Sequence, residues 1–309
     1  MEIRLANTRG FCAGVDRAIE IVKKVIEIHG APVYVKHEVV HNKTVVEELK
    51  SLGAIFVEDI KDIPEGEVVV YSAHGISKAV ESESGVRKLD VFDATCPLVS
   101  KVHAEVNTYA KMGFDCLLIG HKNHPEVEGT MGQLPGDSIY LVETIKDISE
   151  LNFYEDDKIA YVTQTTLSVD DTQDMIAELR NKFPHIESSP KEDICYATSN
   201  RQNAIKEYAN KCDAFIVVGS KNSSNSNRLV EVAKNAGCFN SYLLENAESL
   251  NVSNYSSYNT IGISSGASVP EVLVENVISK FQENYLLEIE NVSLGEEDVQ
   301  FKLPKEVRN

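Results

Sequence analysis

The chain has no concentration of basic residues and no long apolar run. Its 309 residues carry 30 Lys and Arg against 48 Asp and Glu, a formal net charge of −18. Such a charge repels a nucleic-acid backbone and an anionic membrane surface, which excludes both as partners. No stretch reaches the roughly 18 uninterrupted apolar residues of a membrane span, and the first residues lack the apolar region of a signal peptide. We therefore expect a cytoplasmic protein.

Two common motifs are also missing. No G-x-G-x-x-G occurs, which argues against direct use of a nicotinamide cofactor. The six cysteines include no C-x-x-C pair, which argues against a structural zinc site. Disulfides are disfavoured in the reducing compartment that a chain without a signal peptide occupies. We therefore expect a metal or catalytic role for some of the cysteines.

The chain does contain one sequence pattern that is repeated three times. Each copy begins with a cysteine and continues with a helix-like stretch, an apolar strand and a polar loop. The interval from the cysteine to this loop is 28 or 29 residues in every copy. A second helix-like stretch, two further strands and a second polar loop follow. Short apolar strands that alternate with helices predict parallel βαβ units.

This repeat predicts an α/β fold of three pseudo-symmetric lobes. Each lobe would be a small, mainly parallel sheet flanked by helices, and the lobes would surround a central cavity that holds a metal cluster. The predicted boundaries are 1–95, 96–194 and 195–283 for the three lobes, with a C-terminal tail at 284–309. The tail ends with a strand-like VQFKL segment, and the tail as a whole would either pair with another lobe or cover the site.

The three cysteines that open the repeats are Cys12, Cys96 and Cys195. Each lies where a helix is predicted to begin, and a helix N-terminus favours the thiolate, which is the metal-binding form. Three thiolates, one per lobe, suit a [4Fe–4S] cluster with one iron left open. The alternative is three unconnected buried cysteines. The remaining cysteines lie at the edges of apolar segments and are expected to pack as small buried side chains: Cys116, Cys212 and Cys238.

Symmetry that brings the cysteines together also groups the polar loops into two sets. The first set comprises His41, His124, Glu126, Ser223, Ser224 and Asn225, and the second comprises His74, Thr165 and Ser268. Hydroxyl, amide and imidazole donors at helix N-termini can bind a diphosphate without lysines. Glu126 is either an ordinary first-turn glutamate or, beside a metal-bound alcohol, the general acid.

The sequence contains six further motifs: F-C-A-G-V at 11–15, D-A-T-C-P at 93–97, H-x-x-H-P-E at 121–126, T-Q-T-T at 163–166, S-S-N-S-N-R at 223–228 and G-A-S-V-P at 266–270. Together they resemble the 4-hydroxy-3-methylbut-2-enyl diphosphate reductase family, from the last step of the non-mevalonate isoprenoid pathway. The resemblance implies a reductive dehydroxylation of the allylic diphosphate, which gives isopentenyl and dimethylallyl diphosphate. It also implies an external electron donor such as a ferredoxin or flavodoxin.

The resemblance further implies roles for individual residues. One [4Fe–4S] cluster would be held by Cys12, Cys96 and Cys195, with the substrate hydroxyl on the open iron. Glu126 would deliver protons, while Thr165 and His124 would bind and organise the hydroxyl and nearby water. The diphosphate would be held by His41, His74, Ser223, Ser224, Asn225 and Ser268.

Two other functions remain compatible with the residues themselves. In a non-redox [4Fe–4S] dehydratase, the open iron would act only as a Lewis acid, and turnover would need no reductant. In a three-lobed anion-binding or sensor protein, the cysteines would form no cluster, and the protein would contain no iron or labile sulfide.

Overall fold

The computed structural model describes residues 1–136, 138–293, 295 and 297–308. Its strands, numbered in chain order, are β1 (Glu2–Ala6), β2 (Val33–Lys36), β3 (Ala54–Val57), β4 (Val68–Tyr71), β5 (Asp90–Asp93), β6 (Asp115–Ile119), β7 (Ile139–Val142), β8 (Ile159–Thr163), β9 (Glu187–Ser188), β10 (Ala214–Val218), β11 (Ser241–Leu244), β12 (Thr260–Ser265) and β13 (Glu288–Val292).

The helices connect these strands. They are α1 (Ala13–His29), α2 (Lys43–Ser51), α3 (Lys78–Val86), α4 (Pro97–Lys111), α5 (Pro125–Met131), α6 (Ile145–Glu150), α7 (Val169–Lys182), α8 (Tyr196–Tyr208), α9 (Ser224–Asn235) and α10 (Glu271–Gln282). Single 3₁₀ turns lie at Ile60–Asp62, Ala209–Lys211, Ala247–Ser249, Val252–Tyr255 and Lys305–Val307. Over the residues that the structure describes, none of the helices combines the length and apolarity needed to cross a membrane.

The strands form three small sheets with one repeated order. The first is β3-β2-β4-β5, the second is β7-β6-β8-β9, and the third is β11-β10-β12-β1-β13. All pairings between these strands are parallel. The central strands of each sheet are short, apolar and buried, as parallel sheets require, whereas the edge strands β5, β9 and β13 are more polar and exposed. The predicted α/β class with three parallel sheets is therefore confirmed.

Strand β1 lies in the third sheet, not in the first. Glu2 pairs with Thr260 of β12, and Leu5 pairs with Ile263. β1 thereby takes the place beside β12 that β5 takes beside β4 and β9 takes beside β8. The predicted start of the first lobe at residue 1 is therefore wrong. In the first two sheets the strand at this place comes from the same repeat, whereas in the third sheet the edge of β12 pairs in parallel with β1 from the start of the chain. The remaining predicted boundaries stay predictions.

The C-terminal tail also extends the third sheet. β13 pairs in parallel with β1, with Glu288 beside Glu2 and Val292 beside Ala6. The strand-like VQFKL segment at 299–303 forms no strand. The strand reading of this segment was wrong, because the open edge of β1 is reached by the earlier tail segment 288–292, which follows α10 closely in the chain. That the tail covers the site stays a prediction.

The chain forms two compact units. The first, called the five-strand unit, comprises Met1–Val15, His41–Val45 and Tyr196–Gln300. Helices cover both faces of its sheet, and β10 shows the alternation that this requires. Phe215 packs with residues of α8 and α9 on one face, and Ile216 packs with residues of α10 on the other.

The second unit, called the two-sheet unit, comprises Asp16–Val40, Val46–Cys195 and Phe301–Asn309. It contains the first and second sheets. In β6, Leu117 packs with residues of α6 and α7, while Leu118 packs with residues of α4 and α5 on the opposite face. Each sheet thus has its own apolar core, and its polar side chains collect at the strand ends.

Candidate functional site

Each of the three predicted cysteine ligands directly precedes a helix. Cys12 lies before α1, Cys96 is the N-cap of α4, and Cys195 lies before α8. All three are partly exposed. These three helix starts are the positions at which the sequence predicted the thiols to lie.

The three cysteines also share one backbone hydrogen bond. Their N–H groups donate to the carbonyl oxygens of Ala267, Ala73 and Thr165, respectively, at 3.1, 3.0 and 3.0 Å. Each acceptor lies two residues beyond the end of a strand, namely β12, β4 and β8. The position of the thiol is therefore set in the same way in all three repeats.

The other three cysteines have a different environment. Cys116 and Cys238 are buried in apolar clusters, and Cys212 packs against one. Burial raises the pKa of Cys116 to about 11 and that of Cys212 to about 12, and it also raises the pKa of Cys238. These thiols stay protonated and serve as small packed side chains, as predicted.

This contrast provides the test of fit for an iron–sulfur cluster. Cluster irons take thiolate ligands, and the thiols that stand at helix N-termini are those that the repeat singled out. Cys12 belongs to the five-strand unit, and Cys96 and Cys195 belong to the two-sheet unit. The donor chemistry fits the group, and the joint ligand role stays a prediction.

Glu126 is a buried carboxyl in the first turn of α5, only 3% exposed. Its Oε1 accepts a hydrogen bond from the N–H of Thr165 at 2.6 Å, and its Oε2 accepts one from the Thr165 hydroxyl at 3.0 Å. Burial raises the pKa of Glu126 to about 7, although both bonds from Thr165 oppose the shift. A carboxyl of this kind can hold and release a proton near neutral pH.

Thr165 links this carboxyl to a predicted ligand. Its N–H and hydroxyl bind Glu126, while its carbonyl oxygen accepts from the N–H of Cys195 at 3.0 Å. The structure therefore brings Glu126, Thr165 and Cys195 together within the two-sheet unit, as predicted. The first-turn position of Glu126 is not an ordinary solvent-exposed one.

His124 caps the same helix. Its Nδ1 accepts a hydrogen bond from the N–H of Glu126 at 3.2 Å. In the neutral ring the proton then lies on Nε2, so that this nitrogen is the donor of the ring. The ring centroid of His74 lies 6.1 Å away, nearly perpendicular. Gly129 of α5 permits this approach, because a Cβ there would come within 3.2 Å of the backbone of Gly75.

The five-strand unit presents hydroxyl and amide groups at the start of α9. Ser223 is the N-cap, and its hydroxyl accepts from the N–H of Ser226 at 3.2 Å. A Cβ at Gly219 or Gly266 would lie 2.3 or 2.1 Å from the Ser226 hydroxyl. These two glycines therefore allow the helix N-terminus to approach the strand ends closely. Ser224 is the first residue of α9.

Asn225 carries the clearest sign of a ligand in this unit. Its side chain is buried, with the residue 6% exposed. Neither its amide nitrogen nor its amide oxygen has a hydrogen-bond partner within the described part of the chain. Since buried polar groups are normally paired, this amide is set up to bind a molecule from outside the chain.

Two further predicted residues meet in the same unit. The hydroxyl of Ser268, in the loop after β12, donates to the carbonyl oxygen of His41 at 3.2 Å. The structure thus places the residues predicted to bind the substrate in two groups: Ser223, Ser224, Asn225, Ser268 and His41 in the five-strand unit, and His74, His124 and Thr165 in the two-sheet unit.

The structure also identifies residues that the sequence did not single out. His37 directly follows β2, its ring lies 5.6 Å from that of His74, and its Nδ1 lies 2.8 Å from a Glu58 carboxylate oxygen. Its backbone φ of +64° is uncommon for a side-chain-bearing residue and marks a tight turn at the strand end. A polar residue directly after an apolar strand was the available signal.

Comparison with known proteins gives a consistent result. Residues 3–282 match the LytB protein family. The 4-hydroxy-3-methylbut-2-enyl diphosphate reductase of Pseudomonas fluorescens (strain Pf0-1) is 54% identical over 311 residues, which cover 100% of this chain and 99% of the relative. The protein of that name from Saccharophagus degradans is also 54% identical, with 100% of both chains covered.

Solved structures agree with the sequence relatives. The E-1-hydroxy-2-methyl-but-2-enyl-4-diphosphate reductase from Plasmodium falciparum has a TM-score of 0.94 at 43% identity, covering 99% of this chain and 96% of its own. A structure of (E)-4-hydroxy-3-methyl-but-2-enyl diphosphate reductase, described as the terminal enzyme of the non-mevalonate pathway, has a TM-score of 0.65 at 35% identity. It covers 91% of this chain and 99% of its own.

Proposed function

The chain belongs to the LytB protein family, and we infer that it reduces (E)-4-hydroxy-3-methylbut-2-enyl diphosphate to isopentenyl and dimethylallyl diphosphate. This reaction is the last step of the non-mevalonate isoprenoid pathway. The C–O bond to the allylic hydroxyl breaks, the oxygen leaves as water, and a new C–H bond forms at one of two carbons. Two electrons and two protons enter for each molecule of water that leaves.

Members of this family use an iron–sulfur cluster. We propose that it is a single [4Fe–4S] cluster with three protein ligands, Cys12, Cys96 and Cys195, and one open iron. When bound, the cluster would pass on the two electrons of the external donor one at a time and would supply a Lewis-acidic iron for the substrate hydroxyl. The matching helix-start positions and backbone hydrogen bonds of the three cysteines support this ligand set.

The observation that carries the proposed chemistry is the buried Glu126 carboxyl. Burial holds the pKa of Glu126 at about 7, so the protonated acid is available at neutral pH. A general acid is most effective when its pKa lies near the working pH. Glu126 would protonate the leaving oxygen, while Thr165, bound to both carboxyl oxygens, and His124 would orient the hydroxyl and nearby water.

The diphosphate would be bound without lysine side chains. Asn225 offers a buried amide that has no partner among the described residues, and Ser223 and Ser224 lie at the N-terminus of α9. Backbone N–H groups at a helix N-terminus attract anions, and hydroxyl donors add hydrogen bonds. Ser268 and the imidazoles of His41 and His74 would complete the set.

The electrons would come from a small external donor protein of the ferredoxin or flavodoxin type. The chain has no dinucleotide-binding fingerprint that would let it draw on a nicotinamide directly. A cytoplasmic location, which the sequence predicts, is where such donors would be met.

The direct test is turnover under strictly anaerobic conditions. Protein purified without oxygen is mixed with the diphosphate substrate and reduced viologen, and the products are separated by chromatography. We expect both isopentenyl and dimethylallyl diphosphate, in amounts that follow viologen oxidation. Conversion without any reductant would favour the dehydratase instead, and protein without iron or labile sulfide would favour the anion-binding protein.

The ligand set is tested by single Cys→Ser substitutions. Replacement of Cys12, Cys96 or Cys195 should each lower the iron and labile-sulfide content and remove the visible absorption of the cluster. Cys212→Ser is the matched control, because this thiol donates to the carbonyl of Tyr208 at 3.4 Å, a bond that a serine hydroxyl can also make. Normal cluster content in one of the three ligand variants would remove that cysteine from the set.

A further inference from the structure

Arg201, on α8 in the five-strand unit, is a fully buried arginine, with 0% of its surface exposed. A guanidinium stays charged in a protein, so burying it is costly unless it is paired and hydrogen-bonded. Its position follows from neither the substrate nor the cluster roles proposed above. The groups that neutralise this buried charge, and the groups to which the guanidinium donates, therefore indicate its role.

The partner of Arg201 comes from the C-terminal tail. The Nη1 group of Arg201 donates to the two carboxylate oxygens of Glu297 at 3.0 and 3.2 Å, and to the carbonyl of Ala197 at 3.0 Å. The amide of Asn200 donates to the same carboxylate at 3.1 Å. Glu297 is itself largely buried, with 16% of its side chain exposed. The tail thus supplies the negative charge that makes a buried Arg201 tolerable.

The other end of the guanidinium reaches the Cys12 loop. The Nη2 group of Arg201 donates to the carbonyl oxygen of Gly10 at 2.8 Å. The N–H of Gly10 donates to the hydroxyl of Ser265 at 2.8 Å, and the N–H of Cys12 donates to the carbonyl of Ala267 at 3.1 Å. Gly10 has a φ of +73°, a conformation that favours glycine. The loop is therefore fixed by a short series of bonds, one of which depends on Arg201.

From these contacts we propose that Glu297 acts through Arg201 as a positioning residue for Cys12. In this arrangement the tail is part of the structure that presents the thiol and not merely an extra strand on the sheet edge. The reason is electrostatic. Without the carboxylate, the buried guanidinium must draw in water or move toward it, and either change weakens its bond to the Gly10 carbonyl. Cys12, two residues further along, then loses its fixed position.

The first experiment needs no cluster. Apo-protein is kept reduced and anaerobic, treated with a maleimide, and the labelling rate of each cysteine is read by peptide mass spectrometry. In Glu297→Ala we expect Cys12 to react about tenfold faster than in the unmodified chain, the size of a local opening that has lost its buried ion partner. Cys96 and the buried Cys238 should react at unchanged rates. Asp298→Ala is the matched control, because it removes a neighbouring, exposed carboxylate from the same tail.

Two outcomes of the labelling experiment would overturn the proposal. Unchanged labelling of Cys12 would show that Glu297 does not position the loop. Equal acceleration at Cys12, Cys96 and Cys238 would show a general loss of stability instead of a local effect. If Glu297→Ala does not fold, Glu297→Gln is used, because it removes the charge but keeps an oxygen acceptor for Arg201. The same two outcomes then decide.

The second experiment rests on the proposed ligand role of Cys12 and separates positioning from stability. In anaerobically prepared holoprotein, we expect Glu297→Ala to lose its iron to a chelator about tenfold faster. Arg201→Met combined with Glu297→Met removes both buried charges, which should restore thermal stability but not the donor to Gly10. Cluster loss should therefore stay fast. Recovery of both properties would overturn the proposal, whereas unmodified protein without iron would contradict the cluster and leave the labelling result standing.

Discussion

The loop between β6 and α5 and the loop between β10 and α9 share a framework but differ in chemistry. The first, called the histidine loop, reads G-H-K-N-H-P-E at 120–126, and the second, called the serine loop, reads G-S-K-N-S-S-N at 219–225. Each opens on a glycine that lets the helix approach the strand end. A Cβ at Gly120 would lie 2.7 Å from Val127, and one at Gly219 would lie 2.3 Å from Ser226.

The difference between the loops is concentrated in the second residue of each helix. In the histidine loop this residue is Glu126, whose carboxyl is satisfied by Thr165 and whose pKa burial raises to about 7. In the serine loop it is Asn225, whose buried amide has no partner among the residues that the structure describes. One position can therefore hold a proton near neutral pH, and the other is the one that we propose offers neutral donors to an anion. The repeat determines where functional groups stand, and single substitutions within it determine what they do.

The largest effect on turnover is expected when the histidine loop loses the transferable proton of Glu126. We expect Glu126→Gln to keep its cluster and its affinity for the diphosphate while turnover falls by about 10²- to 10⁴-fold, the usual contribution of a general acid. Glutamine preserves the acceptor for the Thr165 N–H but carries no transferable proton. The measurement is steady-state turnover with reduced viologen, together with iron content and calorimetric titration of the substrate.

The matched control for this variant is Glu128→Gln, an exposed carboxylate in the same helix. It removes the same charge without touching Thr165 and should retain full activity. Full turnover in Glu126→Gln would show that Glu126 is not the general acid, and the proposed functional difference between the two loops would then be wrong.

Much of this fold was predictable from sequence because its signals are local. Short apolar strands, the glycine-ended helices and the cysteine spacing predicted three parallel sheets, which the structure confirms. The placement of β1 was not predictable in the same way. Its five residues look like the first strand of the first lobe, and only the free edge of β12, more than two hundred residues later, makes it the fourth strand of the third sheet.

The site shows the same division. The types of residue at the loops and helix starts were readable from the repeat, including Glu126 and Asn225. The desolvation that raises the pKa of Glu126 was not, since it depends on burial by segments distant in the sequence, and the hydrogen bonds that oppose the shift come from Thr165 in another loop. Likewise the link from Glu297 to Gly10 joins segments far apart in sequence, and no local pattern marks it.

The serine loop is tested by giving it a charge. We expect Asn225→Asp to weaken binding of the substrate by about 10- to 100-fold, because a buried carboxylate repels the diphosphate and loses the amide donor. Turnover at saturating substrate should change little. Asn235→Asp, exposed at the end of the same helix, adds the same charge and serves as control. A fall in kcat with unchanged KM would place Asn225 in the chemical step and contradict the division between the loops.

The pH dependence should follow the histidine loop alone. Burial raises the pKa of Glu126 to about 7, so the protonated acid predominates below that pH and the ionised form predominates above it. Single-turnover rates should therefore be highest below pH 7 and should fall by about tenfold per pH unit above it. A viologen is a suitable reductant because its reduction takes up no proton. The residual rate of Glu126→Gln should be flat over this range; an identical fall in that variant would assign the titration to another group.

The smallest expected effects are on stability, and they distinguish helix capping from a catalytic role at the N-cap residues of the two loops. His124 and Ser223 are the N-caps of α5 and α9, accepting from the N–H groups of Glu126 and Ser226, respectively. Ser223→Ala should cost about 1 kcal/mol of unfolding free energy, since it removes a cap and leaves its N–H unpaired. His124→Ser should cost less than about 0.5 kcal/mol, since serine also caps well, yet it should lower turnover because the imidazole donor is gone. Denaturant unfolding of the apo-proteins measures the two unfolding free energies, and the assay with reduced viologen measures the turnover of the His124→Ser variant. If His124→Ser is as destabilising as Ser223→Ala and its activity is unchanged, the imidazole is present only as a cap.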